Sequence, residues 1–285
     1  MLGQRVLTAI VLLAVLAATL ALHNPWWFVA LLAVGAACTC WEWLRLTVAQ
    51  PPARVLCVGV AAMLLAVMLW AGWAWLVGQP AGMDLAAVVL QFLVPAVALI
   101  WLLGVTAAVV RGRADAPPAS LVWSLFSVPA IFAAWSVLSL TFMVRGAWFV
   151  ISLLALVWVA DIAAYFAGRA FGKHKLAPRV SPGKTIEGAV AGIVAVVLWV
   201  WASSFWDGSF GQALIERLGI TLALPAAALL GAISIVGDLF ESLLKRRAGR
   251  KDSSALLPGH GGVYDRLDAI LPVAPFALLL SGVLS

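Results

Sequence analysis

Charged residues are scarce in this chain. Asp, Glu, Lys and Arg together make up 11% of its 285 residues, whereas hydrophobic residues make up 65%. A soluble domain has about 25% charged residues, so a water-soluble globular fold is excluded. The apolar residues also form runs of about 18 or more, the length that a transmembrane helix needs. The sequence therefore predicts a polytopic membrane protein.

The apolar runs are not built as alternating polar and apolar residues, which is the pattern of membrane β-barrels. Outside a closed barrel, a lipid-exposed backbone can satisfy its own N–H and C=O groups only in a helix. The predicted fold class is therefore all-α.

Cysteine is rare as well. Cys38, Cys40 and Cys57 all lie in apolar runs, and the first two face different sides of one helix because they are two residues apart. We interpret all three as small buried residues, without a disulfide or metal framework.

Nine apolar runs are long enough to cross about 30 Å of hydrocarbon. The first run could be a cleaved signal peptide or an uncleaved first span. The uncleaved span is favoured, because the other eight runs would in any case hold the protein in the membrane. The predicted spans are 6–22, 26–44, 55–78, 85–110, 121–143, 147–167, 186–206, 221–240 and 267–284.

The basic residues predict the orientation of these spans. If the N-terminus is cytoplasmic and the C-terminus lies outside, all of the 18 Lys and Arg residues except Arg145 and Arg217 are cytoplasmic, as the positive-inside rule requires. The loops 169–185 and 241–263 are then cytosolic. The net charge of +6 is thus explained by the membrane surface, and no nucleic-acid partner is predicted.

The two halves of the chain differ in polar content. Residues 1–145 (spans one to five) are predicted to be a transmembrane scaffold, in which Glu42, between two Trp near a helix end, is interpreted as an interfacial residue. Residues 146–285 (spans six to nine) are predicted to be the catalytic region, because ionisable groups in spans are costly and indicate function. Six carboxylates lie inside or at the ends of these spans, and this topology gathers them at one membrane face: Asp161, Glu187, Asp238, Glu241, Asp265 and Asp268.

Two groups of carboxylates are candidates for metal binding. Asp238 and Glu241 share one helical face with Lys245 if span eight continues as a helix. Asp265 and Asp268 form a second pair with the same spacing at the start of span nine. Hard carboxylate oxygens without His or Cys clusters suit Mg²⁺ better than Zn²⁺.

The loop between spans six and seven carries features that bind anions. Ser181 is predicted to cap span seven with Pro182 at its first position, which would present free amides beside Lys184 and Thr185. The letters PGKT resemble the end of a P-loop, but the first Gly of that motif would fall at Pro178 and no strand precedes it. A Walker A site is therefore excluded.

The loop between spans eight and nine combines five basic residues in 245–251 with the run Gly259-His260-Gly261-Gly262. Backbone amides in such a glycine-rich run can approach a phosphate closely. Contact with anionic lipid would explain the basic residues but not the neighbouring acids. The two loops together predict a metal-assisted phosphate reaction at the bilayer, with one substrate from water and one from lipid.

Residues 242–268 closely resemble the signature of the phosphatidate cytidylyltransferases, or CDP-diacylglycerol synthases, in which S-x-x-K-R, K-D, P-x-H-G-G and D-R-x-D occur at fixed spacing. The resemblance extends upstream to about Asp161, and Ala269 departs from it where members often carry Ser. The matching residues are Ser242, Lys245, Arg246, Lys251, Asp252, Pro258, His260, Gly261, Gly262, Asp265, Arg266 and Asp268.

The resemblance implies that CTP and phosphatidic acid react to give CDP-diacylglycerol and pyrophosphate at the cytoplasmic face of a bacterial inner membrane. It implies dependence on Mg²⁺, held by Asp238 and Asp265, and allows a monovalent cation such as K⁺ in addition. The oligomeric state stays open, a homodimer being one option.

The remaining candidate residues support this chemistry. A phosphate monoester is largely dianionic at pH 7, so catalysis should depend on positioning and charge neutralisation rather than on a strong base. Asp268 and Asp161 are expected to support or contact the metal. Residues expected to neutralise phosphates are Lys245, Arg246, Lys251 and Arg266, and those expected to hold the nucleotide are Ser181, Lys184, Thr185, His260, Gly261 and Gly262.

Two other function classes are compatible with parts of the sequence. Another CTP-dependent membrane lipid enzyme, such as a polyprenol kinase or an archaeal-type lipid cytidylyltransferase, would share the nucleotide chemistry but not the acceptor. A transporter of a phosphorylated solute would need polar groups near the membrane midplane, and the predicted clustering at one interface disfavours it.

Overall fold

The computed structural model describes residues 2–22, 24–48 and 53–284. These residues are mostly helical, as predicted, but they also contain a short β-hairpin that an all-α fold does not include. The elements are α1 (Leu2–Ala21), α2 (Trp26–Thr47), α3 (Ala53–Leu76), α4 (Pro80–Val88), a π-helical segment (Val89–Leu93), α5 (Val94–Leu99), a second π-helical segment (Ile100–Val105), α6 (Thr106–Arg111), α7 (Leu121–Phe171), β1 (Lys175–Ala177), β2 (Ser181–Thr185), α8 (Ile186–Ser203), α9 (Phe210–Arg247), α10 (Tyr264–Leu267) and α11 (Ile270–Ser281).

Within the described residues, six helices are long and apolar enough to cross a membrane. The polytopic helical character predicted from the sequence is therefore confirmed, whereas the count of nine spans and the orientation remain predictions. Two predicted spans, 121–143 and 147–167, fall in the single helix α7, and α11 has only 12 residues. The six helices are Trp26–Thr47, Val55–Leu76, Pro80–Arg111, Leu121–Phe171, Ile186–Ser203 and Phe210–Arg247.

The two longest helices are each interrupted at a glycine. Gly146 in α7 has φ 80° and ψ −176°, and Gly219 in α9 has φ 69° and ψ 157°. Residues other than glycine rarely adopt positive φ, so each glycine permits a sharp change in the direction of the helix. The break at Gly146 lies where the sequence predicts the boundary between spans five and six.

The chain forms two compact units. The first contains the described residues of Met1–Val94 together with Asp115–Ser139 and Leu244–Leu267, and the second contains Pro95–Ala114, Leu140–Leu243 and the described residues of Asp268–Ser285. These units are defined by packing, so the functional division after residue 145 remains a separate prediction.

In the first unit, α2 supplies much of the core. Phe28, Val29 and Trp43 are fully buried. Gly72 lets α3 approach α2 closely, because a Cβ at this position would lie 2.7 Å from the Val29 side chain. The indole N–H of Trp135 donates to the Val29 carbonyl at 3.3 Å, which links α7 to the same face of α2.

In the second unit, α7 and α8 pack through glycines. A Cβ at Gly188 would lie 2.7 Å from the Ala164 carbonyl oxygen, and one at Gly192 would lie 3.0 Å from the Ala160 carbonyl oxygen. Small residues four positions apart allow two membrane helices to approach closely. This packing brings the start of α8 against the C-terminal part of α7.

The segment before α8 is extended, which corrects one prediction. Strands β1 and β2 pair antiparallel, with Lys175 opposite Thr185 and Ala177 opposite Ser181. Ser181 is therefore not the N-cap of α8, because it begins the extended strand β2 and the helix begins only at Ile186. Thr185 is the N-cap instead, with φ −122° and ψ 154°.

Candidate functional site

A cavity of about 500 Å³ opens in the second unit among α7, β2, α8 and α9. Most of its wall consists of small or apolar residues, including the glycines that bring α7 and α8 together. Polar groups enter at a few positions, as expected for a binding site that orients its ligand. The residues from the sequence prediction that line it are Asp161, Ser181, Lys184, Thr185 and Asp238.

Three carboxylates form a cluster at this site. Oxygens of Asp238, Glu241 and Asp268 all lie within 4.8 Å of one another. Asp238 and Glu241 are one turn apart on α9, as the predicted helical spacing requires. Gly237 lets the backbone that carries the third carboxylate approach α9, because a Cβ there would lie 2.5 Å from the backbone carbonyl oxygen of Asp268.

Lys184 supplies a positive charge to the cluster through an ion pair with Oδ2 of Asp238. Three carboxylates this close repel one another unless positive charge neutralises them. Grouped carboxylate oxygens are the ligands that Mg²⁺ prefers, and the chemistry of this donor set therefore fits a Mg²⁺ ion.

The hairpin and the helix that follows it position Lys184. The Thr185 hydroxyl oxygen accepts a hydrogen bond from the Gly188 N–H at 3.2 Å and caps α8. At the same open end of the hairpin, the Ile186 N–H donates to the His174 carbonyl at 2.9 Å. Lys184 is thus held between a closed hairpin and a capped helix, facing the cavity with Ser181.

Asp265 organises residues 245–266, here called the signature loop, which belong to the first unit. Its Oδ1 accepts from the Lys245 ammonium at 2.6 Å, and its Oδ2 accepts from the N–H of Ser253 at 3.0 Å and of Gly262 at 2.7 Å. Lys245 and Asp265 are mostly buried, with side chains 12% and 9% exposed. The two residues predicted to bind phosphate and metal are therefore partners of one another in this structure.

The loop closes on itself around its glycines. The Leu257 N–H donates to the Gly261 carbonyl at 2.8 Å, and Gly261 has φ 84°, a value that favours glycine. Arg266 donates from Nη2 to the His260 carbonyl at 2.8 Å. Arg266 and the His260 backbone therefore stabilise the turn itself.

The other basic candidates lie at the edge of this loop. Arg246 is exposed in the last turn of α9. Lys251 is exposed and lines a recess of about 690 Å³ together with Trp41, Arg45 and Arg250. Their predicted contact with phosphate groups remains a prediction.

The structure thus divides the candidate residues between two places. Asp161, Ser181, Lys184, Thr185, Asp238 and Asp268 belong to the second unit, in or beside the cavity and its carboxylate cluster. Lys245, Arg246, Lys251, His260, Gly261, Gly262, Asp265 and Arg266 belong to the first unit, at the end of α9 and in the loop that follows.

Glu42 has a structural role that the sequence does not predict. It is fully buried within the protein, and its carboxylate accepts hydrogen bonds from the signature loop. One signal could have identified it, because an ionisable residue within an apolar helix is a candidate for function by default.

The chain matches the Cytidylyltransferase family over residues 3–284. It is similar to a phosphatidate cytidylyltransferase of Haemophilus influenzae, with 33% identity over 295 residues that cover 97% of each chain. It is also similar to the enzyme of that name in Pseudomonas aeruginosa, with 51% identity over 132 residues covering 46% of each chain. A Thermotoga maritima phosphatidate cytidylyltransferase is 38% identical over 131 residues, 46% of this chain and 48% of the relative. The chain belongs to the cytidylyltransferase family.

Proposed function

We propose that the protein is a phosphatidate cytidylyltransferase, which converts CTP and phosphatidic acid to CDP-diacylglycerol and pyrophosphate in phospholipid biosynthesis. The similarity to the Haemophilus influenzae enzyme of that name over almost the whole chain supports this assignment. The structural observation that carries it is the cluster of Asp238, Glu241 and Asp268 beside Lys184 at the edge of a cavity.

The reaction needs no strong base. A phosphate oxygen of phosphatidic acid, already anionic at pH 7, attacks the α-phosphorus of CTP and forms a new P–O bond. The bond from the α-phosphorus to the bridging oxygen breaks, and pyrophosphate leaves with its electron pair. The protein must therefore align two anionic substrates and neutralise the charge that keeps them apart.

Lys184 is suited to hold the phosphates of CTP. It faces the cavity, and Ser181 and Thr185 of the same strand line the wall beside it. On the signature loop, Lys245, Lys251 and Arg266 are proposed to contribute positive charge, together with Arg246, and His260, Gly261 and Gly262 to contribute to nucleotide binding.

Asp238, Glu241 and Asp268 would hold Mg²⁺, and Asp161 and Asp265 are proposed as further ligands or supporting groups. When bound, Mg²⁺ supplies Lewis-acid stabilisation of the negative charge on the phosphates. A monovalent cation such as K⁺ is proposed as an additional occupant. The three carboxylates attract positive charge to one place in the second unit, because oxygens of all three lie within 4.8 Å of one another.

The reaction is proposed to take place at the cytoplasmic face of a bacterial inner membrane. The distribution of Lys and Arg supports nine spans with a cytoplasmic N-terminus and an external C-terminus, with the chemistry in residues 146–285 and the loops 169–185 and 241–263 in the cytosol. A homodimer is proposed as the assembly, to be tested by the mass of the detergent-solubilised protein.

The function is tested with purified protein in detergent, labelled CTP, phosphatidic acid and Mg²⁺. We expect a labelled lipid with the mass of CDP-diacylglycerol, together with one pyrophosphate per lipid. Diacylglycerol and polyprenol, which lack the phosphate nucleophile, serve as control acceptors. Transfer to these alcohols but not to phosphatidic acid would refute the assignment.

Lys184→Ala should raise the KM for CTP more than the KM for phosphatidic acid, because the positive charge beside the cavity is lost. The measurement is steady-state kinetics with each substrate varied in turn, supported by equilibrium CTP binding because KM is not always a dissociation constant. Lys173→Ala, an exposed lysine in the same loop, is the matched control and should leave both values unchanged. An effect confined to phosphatidic acid would assign Lys184 to the lipid site.

The orientation can be tested by labelling single cysteines in a cysteine-free background. Ala255→Cys and Asp207→Cys introduce thiols at exposed positions in two different loops. We expect an impermeant reagent to label position 207 in intact cells and position 255 only after permeabilisation. The opposite pattern would invert the topology.

A further inference from the structure

The signature loop is attached to α2 through a buried carboxylate. Glu42 is 0% exposed, and its Oε1 accepts from the Val263 N–H at 3.1 Å and from the Ser254 hydroxyl. Its Oε2 accepts from the Tyr264 N–H at 2.6 Å and from the Ser253 hydroxyl at 3.0 Å. Two hydroxyls and two backbone amides, from both ends of the segment 253–264, therefore converge on one side chain.

The residue next to Glu42 holds the same loop by a different interaction. The Trp43 ring stacks on the Tyr264 ring with a centroid distance of 5.2 Å and an interplanar angle of 11°. Both side chains are fully buried. Tyr264, which directly precedes Asp265, is therefore fixed through its backbone by Glu42 and through its ring by Trp43.

Asp265 binds the same part of the loop as Glu42. The Ser253 hydroxyl lies 3.0 Å from Oε2 of Glu42 and 2.9 Å from Oδ2 of Asp265, so it can donate to either carboxylate. Gly262 leaves the space that this arrangement needs. A Cβ there would overlap the Ser253 hydroxyl and lie 2.6 Å from each Glu42 carboxylate oxygen.

Helix packing alone does not account for a carboxylate at this position. Burying a carboxylate is costly unless it is hydrogen-bonded, and an apolar side chain of similar size would fill the same space without that cost. What the carboxylate adds is the capacity to accept four hydrogen bonds and so fix two separated stretches of backbone. Those stretches, 253–254 and 263–264, flank the glycine run, and Asp265 directly follows the second of them.

We propose that Glu42 is a positioning residue for cytidylyl transfer. It does not contact the reacting atoms but sets, through Ser253 and Tyr264, the position of Asp265 and of the Gly259–Gly262 run. This inference rests on the proposed function and deepens it, because it extends the active apparatus to α2 in the predicted scaffold half.

Glu42→Gln is the test substitution. The amide keeps the shape but has one acceptor oxygen, and its NH₂ group would face two hydrogen-bond donors. A displacement of about 1 Å in a positioning group can lower turnover by about 100-fold. We therefore expect kcat to fall by about 10- to 100-fold and the KM for CTP to rise several-fold in protein that remains folded. Ser254→Ala, which removes one donor of the four, should show the same changes to a smaller degree.

The change in KM separates positioning from a loss of folded protein. A smaller folded fraction lowers the apparent kcat but leaves KM unchanged, whereas a displaced phosphate-binding loop changes both. A second readout needs no activity: trypsin should cleave after Arg250 faster in Glu42→Gln than in the wild type, with fragments identified by mass. Absence of transfer in the wild type would refute the proposed function but not the attachment of the loop by Glu42, which the cleavage assay would still test.

Glu216→Gln is the matched control, since it removes an exposed carboxylate from α9, and it should match the wild type in every assay. Glu42→Asp keeps the charge and should recover part of the lost turnover. If Glu42→Gln fails to fold, Ser254→Ala carries the test. Wild-type KM and wild-type cleavage in whichever of these two variants folds would overturn the proposal.

Discussion

Asp238→Asn should lower cytidylyl transfer by about 1000-fold or more while leaving the protein folded. The change preserves the size of the side chain but removes a negative charge from the cluster with Glu241 and Asp268. A Lewis-acid metal contributes several kcal/mol of charge stabilisation, and about 4 kcal/mol corresponds to 1000-fold in rate. The substitution also removes the charged partner of Lys184, so two contributions to substrate binding are disturbed at once.

The measurement is initial rate as a function of Mg²⁺ concentration, with thermal unfolding in detergent as the test of folding. Asp84→Asn changes an exposed carboxylate in α4 and should behave as the wild type. Substitutions of residues that serve one site have strongly non-additive effects on turnover. Asp238→Asn combined with Asp268→Asn should therefore be little worse than Asp238→Asn alone. A folded Asp238→Asn variant with normal turnover and Mg²⁺ dependence would refute the metal assignment.

Local periodicity was enough to predict one part of the site. The spacing of Asp238 and Glu241 required only that span eight continue as a helix, and α9 extends to Arg247. Within a regular helix, sequence distance determines which side chains are neighbours. The prediction that these two carboxylates share a face is therefore confirmed.

The same rule failed where the helix ends. Asp265 and Asp268 were predicted to be neighbours at the start of one helix, but α10 spans only Tyr264–Leu267. Asp265 is bonded to Lys245 and Ser253, whereas Asp268 belongs to the carboxylate cluster. A four-residue helix has too few hydrogen bonds to maintain a regular face, and tertiary contacts decide the partners instead.

Two further features depended on contacts that no local pattern specifies. The hairpin that contains Ser181 has strands of three and five residues, which are too short to show a periodicity of two. Glu42 meets Ser253 across 211 residues of sequence. Its position between two Trp indicated a membrane interface, and only the three-dimensional structure reveals the donors that stabilise it in the core.

Asp265→Asn should remove nearly all transfer and, unlike Asp238→Asn, should also lower the thermal stability. Asp265 pairs with the mostly buried Lys245 and accepts from Ser253 and Gly262. Removing one partner of a buried ion pair costs about 3–5 kcal/mol, because the other charge is left without compensation. The loss of activity therefore needs a control in which the remaining charge is also removed.

Lys245→Met combined with Asp265→Asn is that control, and it should recover much of the thermal stability without recovering transfer. Recovery of transfer in this double variant would refute both the assignment of Asp265 to the metal and the proposed role of Lys245 in phosphate binding, and Lys245→Met alone measures the loss that is due to Lys245. If Asp265 and Asp238 serve one metal, as the resemblance implies, Asp238→Asn together with Asp265→Asn should be little worse in turnover than Asp238→Asn alone. Losses that simply add would instead indicate that the two carboxylates act independently, Asp238 in the cluster and Asp265 in the loop.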